Sequence, residues 1–508
     1  MSKFKERLSV FVKGEKLSSA ALTAVIIGLV IVVNVLVFVL DAYFGIFIYT
    51  PTAEELTISG ATDAYFEDAA NQGRKVKIMF CRAEDEVENN SAGKFVLDTA
   101  KQFAERYPDF IELDFLNIVR KVNGKGEYID LSKYQEEVNG KKVPLLKSSV
   151  IFECGDNSKV LTDGSSNTGY SDFYTVDASG NIYSYNGEET IAAMIMWTLA
   201  SEHKTAYLTT HHGETADFGF RNMLVCAGYN VSTLDIRSND IPSDAGIVII
   251  SNPVKDFEMS QEGSNVVAEI DRLREFMLNG GKIYAAIDPY GPELPVLENF
   301  LSEFGIRFSV SEGEGGEIRN IVRDADNAIT TDFYTLVATA AKTGLGEKMS
   351  ETVKGYTNSD VIVRESAVLL CDSERGAEPL LLTSSSAELY AAGKKVGESG
   401  EHCVLAVSNY LNEDGAIGSL VVSPSIYLTA TDALTSEGYA NRTFVYSLME
   451  EVFGAEKLPY GCNPVSYTEE VLENLTMKTA RIYAGFILAV PAILAAIGIA
   501  VTVRRKNR

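Results

Sequence analysis

The stretch "AYLTTHHGETADFG", residues 206–219, decides how the middle of this chain is read. An apolar, β-prone run (206–210) passes into His211-His212-Gly213-Glu214. From Asp217 to Ala227 the apolar spacing becomes helical. The same rhythm continues downstream. "VSTLDI" (231–236) and "AGIVIIS" (245–251) read as strands. A helix with Val266, Ile270, Leu273 and Met277 on one face is stopped by Gly280-Gly281. "KIYAAID" (282–288) is the next strand, Asp288-Pro289 turns into a helix carrying Leu297, Phe300 and Leu301, and "GIRF" closes the unit. Strands alternating with helices predict a doubly wound, flavodoxin-like parallel sheet.

Upstream, "KVKIMFCRA" (75–83), an apolar stripe of Ala92, Val96, Ala100, Phe103 and Tyr107, and "IELDFLNI" (111–118) predict a β-α-β start with its two strands parallel. "KSSVIFEC" and "SKVLTD" predict a hairpin turning at Gly155, Asp156 and Asn157. A polar, turn-rich excursion follows, then a helix over 188–200 that ends the first domain near residue 201. Periodicity is weak from 311 to 365. It returns with strands at 367–371, 379–384, 403–410 and 418–425 and a helix at 441–454.

The flanks carry a different signal. Residues 20–40 and 482–503 hold no charged side chain. At about 1.5 Å per helical residue each run covers a bilayer core of about 30 Å. Lys3, Lys5, Arg7, Lys13 and Lys16 precede the first run, and Arg504, Arg505, Lys506 and Arg508 follow the second, so both termini are expected in the cytoplasm. The expected layout is a basic tail (1–19), a span (20–40), an extracytoplasmic α/β domain (41–201), a second α/β domain (202–460), a linker (461–481), a span (482–503) and a basic tail (504–508). Formal charge is −25 for the chain, and the ends carry +3 and +4, which leaves −32 on 41–481. Such a surface repels nucleic acid and anionic headgroups. Six cysteines in 508 residues are too few for a disulfide scaffold, and no CxxC is present. A bridge between Cys371 and Cys403 requires that their two runs pair as neighbouring strands.

Ligands of open parallel sheets sit beyond the carboxyl ends of the strands. The turn His211, His212, Gly213, Glu214 and the strand-ending Asp288 are therefore the candidate contact residues, for a ligand or a partner. Neighbouring residues of an extended segment face opposite ways, so the two histidines are not expected to share an ion. Gly213 suits a turn, and Glu214 suits the positive end of a helix. No HExxH, GxSxG or GxxxxGK[ST] is present, and "TGLGEKMS" (343–350) has the wrong spacing for a phosphate loop. No catalytic residue, metal or cofactor is assigned.

Four stretches carry a resemblance: "AYLTTHHGE", "GYNVSTLDI", "DIPSDAGIVIISNP" and "FMLNGGKIYAAIDP", followed by "LPVLENFLSEFGI". Their order and the flanking spans resemble the ABC-type auxiliary transport family, also called the gliding-motility-associated or GldG-like family. The resemblance covers about 100 residues well and extends loosely to residue 460. It departs where His211 replaces the family's glycine, and where "VVSPSIYL" (421–428) replaces an acidic segment. It implies a membrane-anchored, non-catalytic auxiliary subunit of an ABC transport system, capturing substrate or coupling, with the ATPase and the multi-span permease on separate chains. A membrane-tethered hydrolase or amidotransferase-like enzyme and a structural envelope protein are the competing expectations.

Overall fold

The computed structural model describes residues 56–478 and 481–482, apart from 136, 139–140, 164–171, 177–181, 260–267, 314–315, 357–359, 437 and 467–475. Residues Pro51–Lys478 form one compact unit of mixed α/β structure. Among the described residues no helix is long and apolar enough to cross a membrane. The two expected spans, 20–40 and 482–503, lie outside the described residues except for Ile482.

The unit begins with helix α1 (Ala61–Ala70), strand β1 (Val76–Phe80), helix α2 (Ser91–Arg106) and strand β2 (Ile111–Phe115). β1 and β2 are parallel, as the β-α-β pattern predicts. Val96, Ala100 and Phe103 of the predicted stripe are buried, and Asn90 caps α2 by accepting from Gly93 N–H at 2.8 Å. β3 (Ser149–Cys154) and β4 (Asn157–Thr162) form the hairpin, with Gly155 at φ 62° in its two-residue turn. The sheet order is β2-β1-β3-β4. The described part of the polar excursion contains two short strands. Tyr174–Val176 and Ile182–Tyr185 pair there, and Val465–Ser466 joins them from the far end of the unit. Phe173, Tyr174 and Tyr185 hold that small sheet on the core. Helix α3 (Gly187–Leu199) follows.

The second sheet is built from β5 (Thr205–Thr209), helix α4 (Phe218–Cys226), β6 (Asn230–Leu234), β7 (Ala245–Ser251), helix α5 (Glu269–Leu278), β8 (Lys282–Ala286), helix α6 (Pro295–Glu303) and β9 (Ile306–Phe308). It continues through β10 (Thr335–Ala340), β11 (Asp360–Arg364), β12 (Leu369–Cys371), β13 (Ala377–Leu382), β14 (Cys403–Leu411) and β15 (Ile417–Ser423), and helix α7 spans Asn441–Glu451. The path is β6-β5-β7-β8-β15-β14-β13-β10-β11. From β6 to β15 every pairing is parallel, and from β15 onward every pairing is antiparallel.

Two features correct the sequence reading. "GIRF" does not close the parallel run. β9 pairs antiparallel with β12, and the place beside β8 goes to β15, whose last six residues are all buried. A seven-residue strand buries far more on that edge than a three-residue one. The weakly periodic 311–365 segment also contains two strands of the main sheet, β10 and β11. Val266 of the predicted α5 stripe lies outside the described residues, while Ile270, Leu273 and Met277 are buried.

Alternation along the strands explains why both faces are covered. Ile247 and Ile249 enter one apolar cluster while Val248 and Ile250 enter another, and Tyr284 and Ala286 divide from Ile283 and Ala285 in the same way. The first cluster takes α4, α7 and α3 and runs on into the β1–β2 region; the second takes α5 and α6. One polar joint lies inside the first cluster. Glu189 of α3 is fully buried and accepts from Arg442 Nε at 2.8 Å and from the Tyr446 hydroxyl at 2.5 Å, both on α7.

Candidate functional site

The carboxyl ends of β5, β7 and β8 fall on one edge, in that lateral order β5-β7-β8. The order of the parallel strands by sequence is second, first, third, fourth, fifth. The chain therefore reverses direction across the sheet between β5 and β7, the place where open α/β sheets form a crevice.

The turn after β5 fills that crevice with its own side chains. His211 has φ 83° and points outward, its half-exposed ring 3.3 Å from Asp235 in the loop after β6. His212 points inward and is 3% exposed. Its Nδ1 lies 2.8 Å from Glu214 Oε1, and its Nε2 lies 3.1 Å from both carboxylate oxygens of Glu269, at the start of α5. The ring stacks on Phe257 at 4.1 Å and 12°. Its backbone is held equally well. His212 N–H donates to Glu214 Oε2 at 2.6 Å, and its carbonyl accepts from Val254 and Lys255 N–H.

An imidazole facing a carboxylate from each nitrogen donates from both, which is the protonated form. Burial alone pushes the His212 pKa down. The hydrogen bond and charge of Glu214 and the charge of Glu269 outweigh burial and raise it. Burial correspondingly pushes Glu214 up, but the His212 contacts and backbone N–H groups hold it below the ordinary carboxylate value. Gly213 sits at φ 81°, and a Cβ there would lie 2.3 Å from Val254 Cγ2. Glu214 is not at a helix start. The helix begins at Phe218 with Asp217 as its cap, accepting from Gly219 N–H at 2.9 Å. Glu214 instead closes the turn, accepting from His212 N–H at 2.6 Å and facing its Nδ1 at 2.8 Å.

Asp288 does not join this cluster. It follows β8, two strand positions from β5 and so about 10 Å across the sheet. Asp288 Oδ1 accepts from Tyr290 N–H at 2.9 Å, and its carbonyl accepts from Arg319 Nη1 at 2.9 Å. Beside that turn opens a cavity of ≈ 380 Å³, within the usual range for small-ligand sites. Tyr290, Tyr334 and Tyr390 line it, with Glu293, Glu317 and Arg319. Tyr290 is 59% exposed; partial burial, with Glu365 among the facing acids, pushes its phenol up to about 12, so it remains a neutral donor. Arg319 is 9% exposed and braces the floor, donating to Pro292 O and Glu298 while lying over the Phe308 ring at 4.6 Å. Behind the cavity Arg323 lies over Phe333, Tyr390 and Tyr334 at 4.8, 5.3 and 5.6 Å.

Among the described residues no group of three His, Cys, Asp or Glu side chains is arranged to hold a metal ion. Sequence reading placed the two histidines on opposite sides, and they are. It missed Glu269 and Phe257, which complete the cluster, and the three tyrosines. Glu269 lies 57 residues from His212 and is one acid among 70 Asp and Glu, so nothing local marks it.

No family model matches the chain, and no curated protein matches it. It is similar to several solved structures at low identity. The mmIFT52 N-terminal domain is 15% identical over 49% of this chain and 96% of that one, with TM-score 0.35. A ThuA-like protein from Bacteroides uniformis is 13% identical over 50% and 93%, with TM-score 0.30. PurLQS from Thermotoga maritima is 10% identical over 49% and 98%, with TM-score 0.27. Likenesses at this level assign no activity.

Proposed function

We propose that the chain is a membrane-anchored, non-catalytic auxiliary subunit of an ABC transport system. In this reading two helices, 20–40 and 482–503, hold it in the bilayer, and the acidic α/β region 41–481 faces away from the cytoplasm. Its domains are 41–201 and a flavodoxin-like 202–460, and an ABC ATPase and a multi-span permease are separate chains. Two helices cannot build a permeation path, so partners are required for transport.

The observation that carries the reading is the state of His212. A base or nucleophile activator needs a nitrogen free to meet substrate, and both of its nitrogens are committed to buried glutamates. The open feature on the same edge is a tyrosine-lined cleft, suited to docking a ligand or a partner. A hydrolase reading would require His212 to leave both carboxylates at once. The resemblance of "AYLTTHHGE" and the three stretches after it supplies the transport system.

Extraction of native membranes in mild detergent, followed by capture of this chain, tests the proposal. An ABC ATPase and a polytopic permease are expected in the eluate. Recovery of the chain alone overturns it. Impermeant amine labelling of intact cells tests the topology separately, since exposed lysines such as Lys125 and Lys133 must react before lysis.

A further inference from the structure

Strands β12 and β14 are neighbours, and they meet through a single residue pair, Leu369 opposite Cys403. Cys371 sits two residues further along β12, a diagonal neighbour of Cys403 on the antiparallel partner. The two sulfurs lie 3.8 Å apart. Both are thiols here, Cys371 half-buried and Cys403 buried. Among the described residues no other two cysteines make a sulfur contact.

We propose that Cys371 and Cys403 are a cross-linking site that closes into a disulfide, stapling β12 to β14. A disulfide needs the sulfurs at about 2.05 Å, so the two must close from 3.8 Å for the bond to form. The chemistry divides unequally between the two. The hydrogen bond with Cys403 holds the Cys371 thiol below its ordinary value, against burial and the charge of Glu378. Cys403 is pushed up by the same contact and by burial. Cys371, the more accessible and the more acidic, is the attacking thiolate.

With oxidised glutathione as the oxidant, Cys371 attacks one sulfur and displaces one glutathione thiolate, leaving a mixed disulfide. Cys403 then loses its proton, attacks Cys371 Sγ, and releases the second glutathione thiol. Two protein thiols give up two electrons and two protons, and one small disulfide takes them up as two thiols.

The position gives the staple a consequence. β12 carries β9, and β9 leads directly into the Val310–Gly313 and Gly316–Arg319 hairpin that supplies Glu317 and Arg319 to the tyrosine cleft. Only one residue pair ties β12 to β14 by backbone bonds, so the covalent bond would fix that wall of the cleft to the main sheet. The bond forms by the same chemistry whichever compartment holds residues 41–481.

The test uses the purified full-length chain in detergent, incubated with oxidised glutathione, then denatured, alkylated and digested. A peptide linking Cys371 to Cys403 is expected, with Cys81, Cys154, Cys226 and Cys462 alkylated. The oxidised chain should melt a few degrees above its reduced form, since closing a 32-residue separation restricts the unfolded chain. Cys371→Ser should abolish that redox-dependent shift. Alkylation of all six cysteines, a glutathione adduct that stays on Cys371, or a link between other cysteines would overturn the proposal.

Discussion

Two strand ends on one edge of the same sheet are finished in opposite ways. After β5 the turn folds inward, and His212 pairs with Glu214 and Glu269 out of reach of solvent. After β8 the turn folds outward, and Tyr290 stands 59% exposed at the mouth of a cleft. The difference teaches that charge density is a poor guide to chemistry. The residues richest in acid–base character are spent on holding a turn, and the accessible surface is aromatic.

Four measurements can break or sharpen that contrast. The largest effect is expected from His212→Ala, which strands two buried carboxylates without their cation. Removing one partner of a buried ion pair costs about 3–5 kcal/mol, readable as a lowered urea midpoint. A loss below about 1 kcal/mol would mean that the turn is not held by charge. Gly213→Ala comes next, at about 1–3 kcal/mol, because it adds positive-φ strain and an overlap with Val254. Val254→Ala in that background should recover the overlap part and leave the strain.

The third measurement is the pH dependence of the same midpoint. His212 is raised in the folded chain, so its contribution is complete below the ordinary histidine value of 6.5 and fades as pH rises through the raised value. Glu214 is lowered, so its contribution is complete above the ordinary 4.5 and fades as pH falls through the lowered value. The stability gap between wild type and His212→Ala should therefore be widest between those two values and narrow on both sides. A gap that is flat with pH would assign the cost of the substitution to packing on Phe257. The smallest effect on stability is expected at the cleft. Tyr290→Ala should stay within about 0.5 kcal/mol of wild type, as exposed substitutions do, while recovery of the permease in the detergent capture falls.

Much of the architecture could be read before the fold was seen, for a physical reason. β7 and β8 are contiguous apolar runs bounded by turn residues, and α5 carries its stripe at helical spacing, so local periodicity states what each buries. The hairpin at Gly155-Asp156 was legible for the same local reason. The candidate site was legible only in outline. Opposed directions for His211 and His212 follow from the strand they end, but the partner that traps His212 comes from a helix 57 residues further on. The joint of Glu189 with Arg442 is more remote still, at 253 residues, and neither residue announces it.

From the amino-acid order alone came the alternation of strand and helix, the parallel start of both sheets, the turn at 211–214 and the apolar runs at the two ends, because each is a statement about a few neighbouring residues. Only the tertiary structure decided that β15 and not β9 takes the fifth parallel position, that β10 and β11 extend the same sheet, that a glutamate from α5 closes on His212, and that Cys371 comes to rest against Cys403. Each of those choices is a competition between distant segments for one edge or one buried pocket, and it is settled by which segment buries more surface or satisfies more charge.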